Sequence, residues 1–337
     1  MNSSSIKNVA FRLDANVNVG TGHLMRCLTI ADDLKILNTC CHFFSRELTK
    51  PLHDLLICHG HKVDIGENEK EIISLIKDLN PEIMIIDHYK LDAKFETEFR
   101  DLCRTILVID DLADRYHKCD YLLDQGPLRT KEDYELWVNS DCKFFLGTKF
   151  AIIRPEFRKN RKHYSSSWEK GLICLGGSDP FNINLKILKA LDSLSQMKGK
   201  KWTVLVGIAN KNWRILKQFS KQSSLDLTMI KQSNQVAKLM ANHDFAIGAA
   251  GGMNWERACI GLPTLTIPIA SNQRFGIREI KHFDLGQTLD VSEISPKTVS
   301  NALDRLQLKA EEYRQKNFAL VDGLGVKRLT KHLINDF

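Results

Sequence analysis

The 337-residue chain has no CxxC pair, no run of about 18 apolar residues and no glycine loop of GxGxxG spacing. Each absence removes a class of protein. The nine cysteines (Cys27, Cys40, Cys41, Cys58, Cys103, Cys119, Cys142, Cys174 and Cys259) are odd in number and scattered. Without paired spacings they read as free thiols in a reducing compartment, not as a disulfide framework or a zinc site. The missing apolar run argues against a membrane-spanning helix. The opening "MNSSSIKNVAFRLDA" lacks the apolar core of a secretory signal. A cytoplasmic protein with no membrane partner is therefore expected. The missing dinucleotide fingerprint makes a nicotinamide oxidoreductase a weak reading. Charge is not concentrated either: 48 Lys and Arg against 41 Asp and Glu leave +7, with the cations spread along the chain. Nucleic-acid binders carry a denser basic stripe, so no nucleic-acid partner is expected, whereas a modest positive excess suits an anionic metabolite such as a nucleotide. Internal repeats and low-complexity tracts are absent as well.

What is present is alternation. Hydrophobic residues make up 43% and charged residues 26%, enough for two cores in a chain of this length. In the first half "VAFRLDA", "TCCHFFSR", "HKVDIG", "EIMIIDHY" and "TILVIDDL" read as strands. The stretches "HLMRCLTIADDLKIL", "EIISLIKDL" and "KFETEFRDLC" read as helices. The second half repeats the style. Strands are expected at "GLICLGG", "KWTVLVG", "LDLTMI", "DFAIGAAGG" and "LPTLTIPI", with helices at "NINLKILKALDSL", "NQVAKLMANH", "MNWERACIG" and "KTVSNALDRLQLKAEEYRQKNFAL". Near-continuous apolar strands such as "IMIID" and "ILVID" suit a parallel sheet buried on both faces, and the alternation favours βαβ units. The charged, serine-bearing stretch between the halves reads as a linker. The expected layout is an α/β chain with an N-terminal domain over 1–155, a linker over 156–170 and a C-terminal domain over 171–337.

Four stretches depart from packing logic. In "NVGTGHLMRC" Gly20 and Gly22 permit unusual backbone, and the helix that follows points its first amides at whatever lies ahead. His23 at its start can take a proton from water, or it can merely cap the helix. In "IIDHYKLD" the polar group Asp87, His88 and Tyr89 follows an apolar strand, where ligand contacts gather in such sheets; a plain polar turn is the alternative. "VIDDLADR" has the same form, and its Asp110, Asp111 and Asp114 read as structural caps before they read as a metal site. In "CLGGSDPFN" Gly176, Gly177 and Ser178 form either a phosphate loop or a capped turn, with Asp179 capping and Pro180 in the first helical turn. The fourth stretch is "AIGAAGGMNWERACIGLPTLTIPIASNQ". Gly251 and Gly252 let amides approach a diphosphate, Glu256 lies one turn on where it can accept from a ribose diol, and Asn272 and Gln273 follow. The alternative there is ordinary helix–strand packing with Glu256 at the surface.

Together "RLDANVNVGTGHLMRCLTIA", "IIDHYKLD", "VIDDLADR", "FAIIRPEF", "GGSDPFN" and "AAGGMNWERACIGLPTLTIPIASNQ" resemble, in order, the PseG family of UDP-sugar hydrolases of pseudaminic-acid biosynthesis. The resemblance runs from about residue 9 to about 275. It implies a GT-B architecture, with two facing Rossmann-like domains and an interdomain cleft, similar to MurG-type glycosyltransferases. It implies hydrolysis of a UDP-linked diacetamido-trideoxy sugar by a monomer, with no metal and no cofactor. By resemblance His23 is the general base and Tyr89 lies beside the sugar. Arg12, Asp14, Gly20, Thr21, Gly22, Asn272 and Gln273 surround the sugar and phosphate. Gly176, Gly177, Ser178, Gly251, Gly252, Asn254 and Glu256 hold UDP, with the backbone near Ile230 at uracil. Met253 and Asn254 stand where the family has small hydroxyl residues, which leaves the phosphate contacts open. The alternative functions are a GT-B glycosyltransferase using the same donor and a nucleotide-sugar-binding module without turnover.

Overall fold

The computed structural model describes residues 8–15, 21–161, 167–177, 179–207 and 210–335. The chain divides into two compact units. The first comprises Met1–Ile153 together with Leu324–Phe337, and the second Arg154–Gly323.

The first unit is built on a parallel sheet of seven strands: β1 (Asn8–Leu13), β2 (Cys40–Ser45), β3 (Lys62–Ile65), β4 (Ile83–Asp87), β5 (Thr105–Ile109), β6 (Tyr121–Asp124) and β7 (Lys143–Leu146). Their order is β3-β2-β1-β4-β5-β6-β7. Strands β4 and β5 are buried at every position, as continuous apolar runs require when helices cover both faces. On one face the helix Gly22–Ile36 buries Leu24, Cys27, Leu28, Ile30, Ala31 and Leu34. The C-terminal helix Gly325–Asn335 joins that same core through Val326, Leu329 and Leu333, and Thr330 donates to Asp33 at 2.6 Å. This corrects the expected domain span 171–337, because the last helix carries an apolar stripe whose partner is the first unit's core. The short strands β6 and β7 were not foreseen. Nor was the brevity of the helix at "KFETEFRDLC", which runs only Ala93–Thr97 and is capped by Asp92.

The second unit has a parallel sheet of six strands: β8 (Lys170–Cys174), β9 (Lys201–Val206), β10 (Asp226–Lys231), β11 (Phe245–Ala249), β12 (Thr264–Ile267) and β13 (Gln287–Thr288). Their order is β10-β9-β8-β11-β12-β13, the same winding as the first unit's leading strands. Trp202, Phe245 and Trp168 anchor the core, with Trp168 stacked on Phe245 at 4.4 Å between centroids. The expected long helix near the end is two helices, Pro296–Leu308 and Ala310–Leu320, the first started by a Ser295–Thr298 capping box. Pro180 lies in the turn ahead of the helix Ile183–Asp192, not in its first turn.

The cations are less evenly spread than the sequence suggests. Counted over the full sequence, the first unit carries 22 Lys and Arg against 26 Asp and Glu, the second 26 against 15. Among the described residues no helix is long and apolar enough to cross a membrane.

Candidate active site

Strands β1 and β4 are neighbours, with Leu13 opposite Asp87 in register. This pairing sets the end of β4 beside the start of the helix Gly22–Ile36 and brings His23 onto Asp87. The imidazole Nδ1 donates to Asp87 Oδ1 in a very short hydrogen bond, and both side chains are buried. Arg26, one turn along the helix, grips the same carboxylate with two prongs, Nε to Oδ2 at 2.5 Å and Nη2 to Oδ1 at 2.6 Å. Its Nη1 reaches Asp111 at 3.2 Å. Burial alone would raise the Asp87 carboxyl, but the Arg26 guanidinium and His23 outweigh it and hold the group well below the usual carboxylate range. Tyr89 presents its ring edge-on to His23, centroids 4.5 Å apart. With Nδ1 donating to an ionised Asp87, a neutral ring keeps Nε2 as its acceptor. Sequence reasoning placed Asp87 in the motif but gave it no role, and it missed Arg26. The signal for both was a carboxylate closing one strand and a cation three residues after the histidine that follows its neighbour.

Arg12 and Asp14 are placed differently from the expectation. Arg12 is fully buried, and all five of its N–H donors are used within the protein. They go to Glu69 at 2.9 and 2.9 Å, to Asp14 at 2.7 and 3.4 Å, and to the Leu13 carbonyl at 2.8 Å. No donor remains for a sugar or a phosphate. Asp14 in turn accepts from the Arg46 amide at 2.8 Å, Ser45 at 3.1 Å and His88 at 3.1 Å. Burial opposes its ionisation, yet His88, Arg12 and the amide hold its carboxyl below the ordinary range. The pair braces the strand ends, so Arg12 is a scaffold residue. Thr21 precedes the helix and accepts through its carbonyl from Met25, and Gly22 opens the helix. Gly20 and Ser178 lie outside the described residues, as does the side chain of Asn272. Asp110 caps its own loop through the Leu112 and Ala113 amides and pairs with Arg115. Among the described residues no group of three His, Cys, Asp or Glu side chains could hold a metal ion.

In the second unit Gly176, at φ +91°, and Gly177 follow β8. Asp179 anchors the next helix by accepting from the Ile183 amide at 2.7 Å and the Asn184 amide at 2.9 Å. Strand β11 runs into Gly251 and Gly252, and the helix Met253–Ile260 starts directly after them. Gly252 has ordinary helical angles, so its own conformation does not demand glycine. A Cβ there would meet nothing within 4 Å, and in the turn the Asn254 and Trp255 amides donate to the Gly251 and Gly252 carbonyls at 2.8 and 3.3 Å. Gln273 braces this loop, accepting from the Ile269 amide at 3.0 Å beside Gly251. Asn254 turns its side chain toward Arg257, not out of the loop. Glu256 sits one turn into the helix and accepts from Arg154 at 3.0 and 3.2 Å, both bonds to one oxygen. Burial raises its carboxyl above the ordinary value against the pull of Arg154. Ile230 is half-buried near the end of β10, the edge strand.

The chain is similar to several known proteins. Residues 172–332 match the glycosyltransferase family 28 C-terminal domain. A UDP-2,4-diacetamido-2,4,6-trideoxy-β-L-altropyranose hydrolase of Campylobacter jejuni is 29% identical over 255 residues, covering 73% of this chain and 85% of that protein. A bifunctional pseudaminic acid cytidylyltransferase and UDP-2,4-diacetamido-2,4,6-trideoxy-β-L-altropyranose hydrolase of Helicobacter pylori is 24% identical over 314 residues, covering 92% of this chain and 53% of that protein. An uncharacterized protein of Methanocaldococcus jannaschii is 25% identical over 270 residues, and the chain spans only 55% of its length. Among solved structures, MurG of Acinetobacter baumannii superposes with a TM-score of 0.70 at 13% identity, over 98% of this chain and all of that one. At that identity the likeness fixes the fold, the two-domain Rossmann-like GT-B fold.

Proposed function

We propose that the protein hydrolyses a UDP-linked 2,4-diacetamido-2,4,6-trideoxy sugar at its anomeric carbon, releasing UDP and the free sugar for pseudaminic-acid biosynthesis. The observation that carries this reading is the His23 imidazole, locked by Asp87 and Arg26 with Nε2 left as a base. The relatives named as such hydrolases in Campylobacter jejuni and Helicobacter pylori support the substrate class. Nε2 of His23 takes a proton from water, and the oxygen attacks C1. The bond from C1 to the diphosphate oxygen breaks, its electron pair leaves with UDP, and the anomeric configuration inverts. Tyr89 positions water or sugar against the imidazole. Gly251, Gly252 and the Met253 amide at the start of the helix Met253–Ile260 receive the diphosphate charge, and Glu256 accepts from the ribose hydroxyls. The bond broken is a glycosyl C–O bond, so the chemistry is that of a glycoside cleavage with a diphosphate leaving group. The enzyme acts as a monomer, which sedimentation at micromolar concentration tests.

The deciding experiment follows the reaction by NMR in ¹⁸O-labelled water with no acceptor present. Free sugar carrying the label at C1, formed in equal amount to UDP, is expected. Label in UDP, or no turnover without an acceptor alcohol, overturns the reading and favours a glycosyltransferase.

A further inference from the structure

Arg257 is a buried cation that the protein only half satisfies. It lies in the helix Met253–Ile260 and is 1% exposed. Its Nη2 donates to the Ala249 carbonyl at 2.6 Å and to Asn254 Oδ1 at 3.4 Å. Nε and Nη1 meet no hydrogen-bond acceptor among the described residues. The adjacent carboxylate, Glu256, is turned to Arg154 instead. The unanswered edge lies over Gly248 of β11, where a Cβ would come within 2.5 Å of the guanidinium carbon and 2.6 Å of Nη1. Glycine at 248 is what lets the cation lie so deep. Burial lowers the guanidinium to about 10, which still leaves it charged at neutral pH. Glu256 favours the charge from a distance but makes no hydrogen bond to it, and a buried cation with two unanswered N–H groups is costly, so this edge calls for an anion.

A small cavity adjoins it. Its volume is about 10 Å³, and its polar wall is Arg257, Asn254, Thr264, Thr266 and Asn317. Ile280 and Leu285 close the apolar side. The lining includes no carboxylate; Thr264 donates to the Leu262 carbonyl and Asn317 to the Leu285 and Tyr313 carbonyls, which leaves the Nε and Nη1 of Arg257 as unspent donors. That set repels metal cations and favours an anion that brings no proton. The size is at the lower limit for one water molecule, so a halide, slightly larger, enters only if the wall gives a little, and phosphate does not fit.

We propose that this cavity is a monovalent-anion site, occupied by a halide such as chloride, with the Nε–Nη1 edge of Arg257 as its chief ligand. The same guanidinium holds Ala249 and Asn254, the residues on either side of the Gly251–Gly252 turn. Occupancy therefore stiffens that turn. A second consequence rests on the nucleotide reading above: UDP binds more tightly in chloride than in gluconate.

The test compares thermal unfolding of the whole protein in sodium chloride and sodium gluconate at equal ionic strength, and adds anomalous scattering from crystals soaked in bromide. The expected result is a halide-specific rise in Tm that saturates in the millimolar range, with a bromide peak beside Arg257 Nη1. Thr266→Val, which keeps shape but removes a lining hydroxyl, should weaken the halide dependence several-fold, and Arg257→Met should abolish it. Equal Tm in the two salts overturns the proposal. So does water alone in the cavity, or bromide bound at crystal concentration only. A failure of UDP to bind in either salt would instead count against the nucleotide reading and leave the halide result standing.

Discussion

The two units share one winding and use their strand ends in opposite ways. In the first, the ends of β1 and β4 carry ionisable side chains locked into each other: His23 on Asp87, Asp87 on Arg26, Asp14 on Arg12 and His88. In the second, the ends of β8 and β11 carry paired glycines, with one carboxylate a turn away. The first unit has an acidic excess, 26 acids to 22 bases, and the second a basic one, 26 bases to 15 acids. The contrast teaches how one architecture divides labour. Proton chemistry needs side chains held in fixed protonation states, and buried ion pairs supply them. Gripping a phosphate needs only backbone donors and a positive field.

Predictions that break this contrast come first. If His23 is the base proposed above, His23→Asn should cut kcat about 10²–10⁴-fold with UDP affinity retained; near-normal turnover would move the chemistry elsewhere. Asp87→Asn leaves the ring in place but unsettles its tautomer, and should lower kcat by about 10²-fold with little change in KM. A rise in KM alone would show that Asp87 serves binding and not the proton. Glu256→Ala strikes the other unit and should do the reverse, weakening UDP binding by about 10–100-fold in calorimetry while bound substrate still turns over.

A smaller effect sharpens the contrast through pH. Burial pushes the Asp124 carboxyl, at the end of β6, up to about 7, against the Gly126 amide and Tyr134, which favour the charged form. Its folded value lies above the unfolded 3.8, so its contribution to stability is present below that value and is lost as pH rises toward 7. Urea unfolding should show a decline on the order of 2 kcal/mol between pH 5 and pH 8 that flattens in Asp124→Asn. An unchanged slope would mean that another group governs this limb. The smallest change is Tyr89→Phe, which keeps the ring against His23 and should lower kcat by less than about tenfold.

Much of this was legible in the sequence because the signals were local. The apolar runs "IMIID" and "ILVID" announced buried parallel strands, and paired glycines before "MNWERACIG" announced the start of a helix. What could not be read depended on contacts far apart in the chain. Arg12 looked like a ligand residue until Glu69, 57 positions away, took two of its donors. Asp87 and Arg26 are separated by 61 residues and meet only because β4 lies beside β1. Asn254 looked like a phosphate contact, yet its amide oxygen faces Arg257, a pairing that local spacing allows but does not require.

The chain leaves the first unit after Ile153 and returns to it at Leu324. The second unit is thus an insertion into the first, and the points of exit and re-entry are neighbours, since Gly325 packs directly on the Ala151 backbone. A short graft across that gap would give a continuous polypeptide of the host half alone. The guest half is joined to its host at both ends, so a protease cut at either crossing would leave it covalently attached.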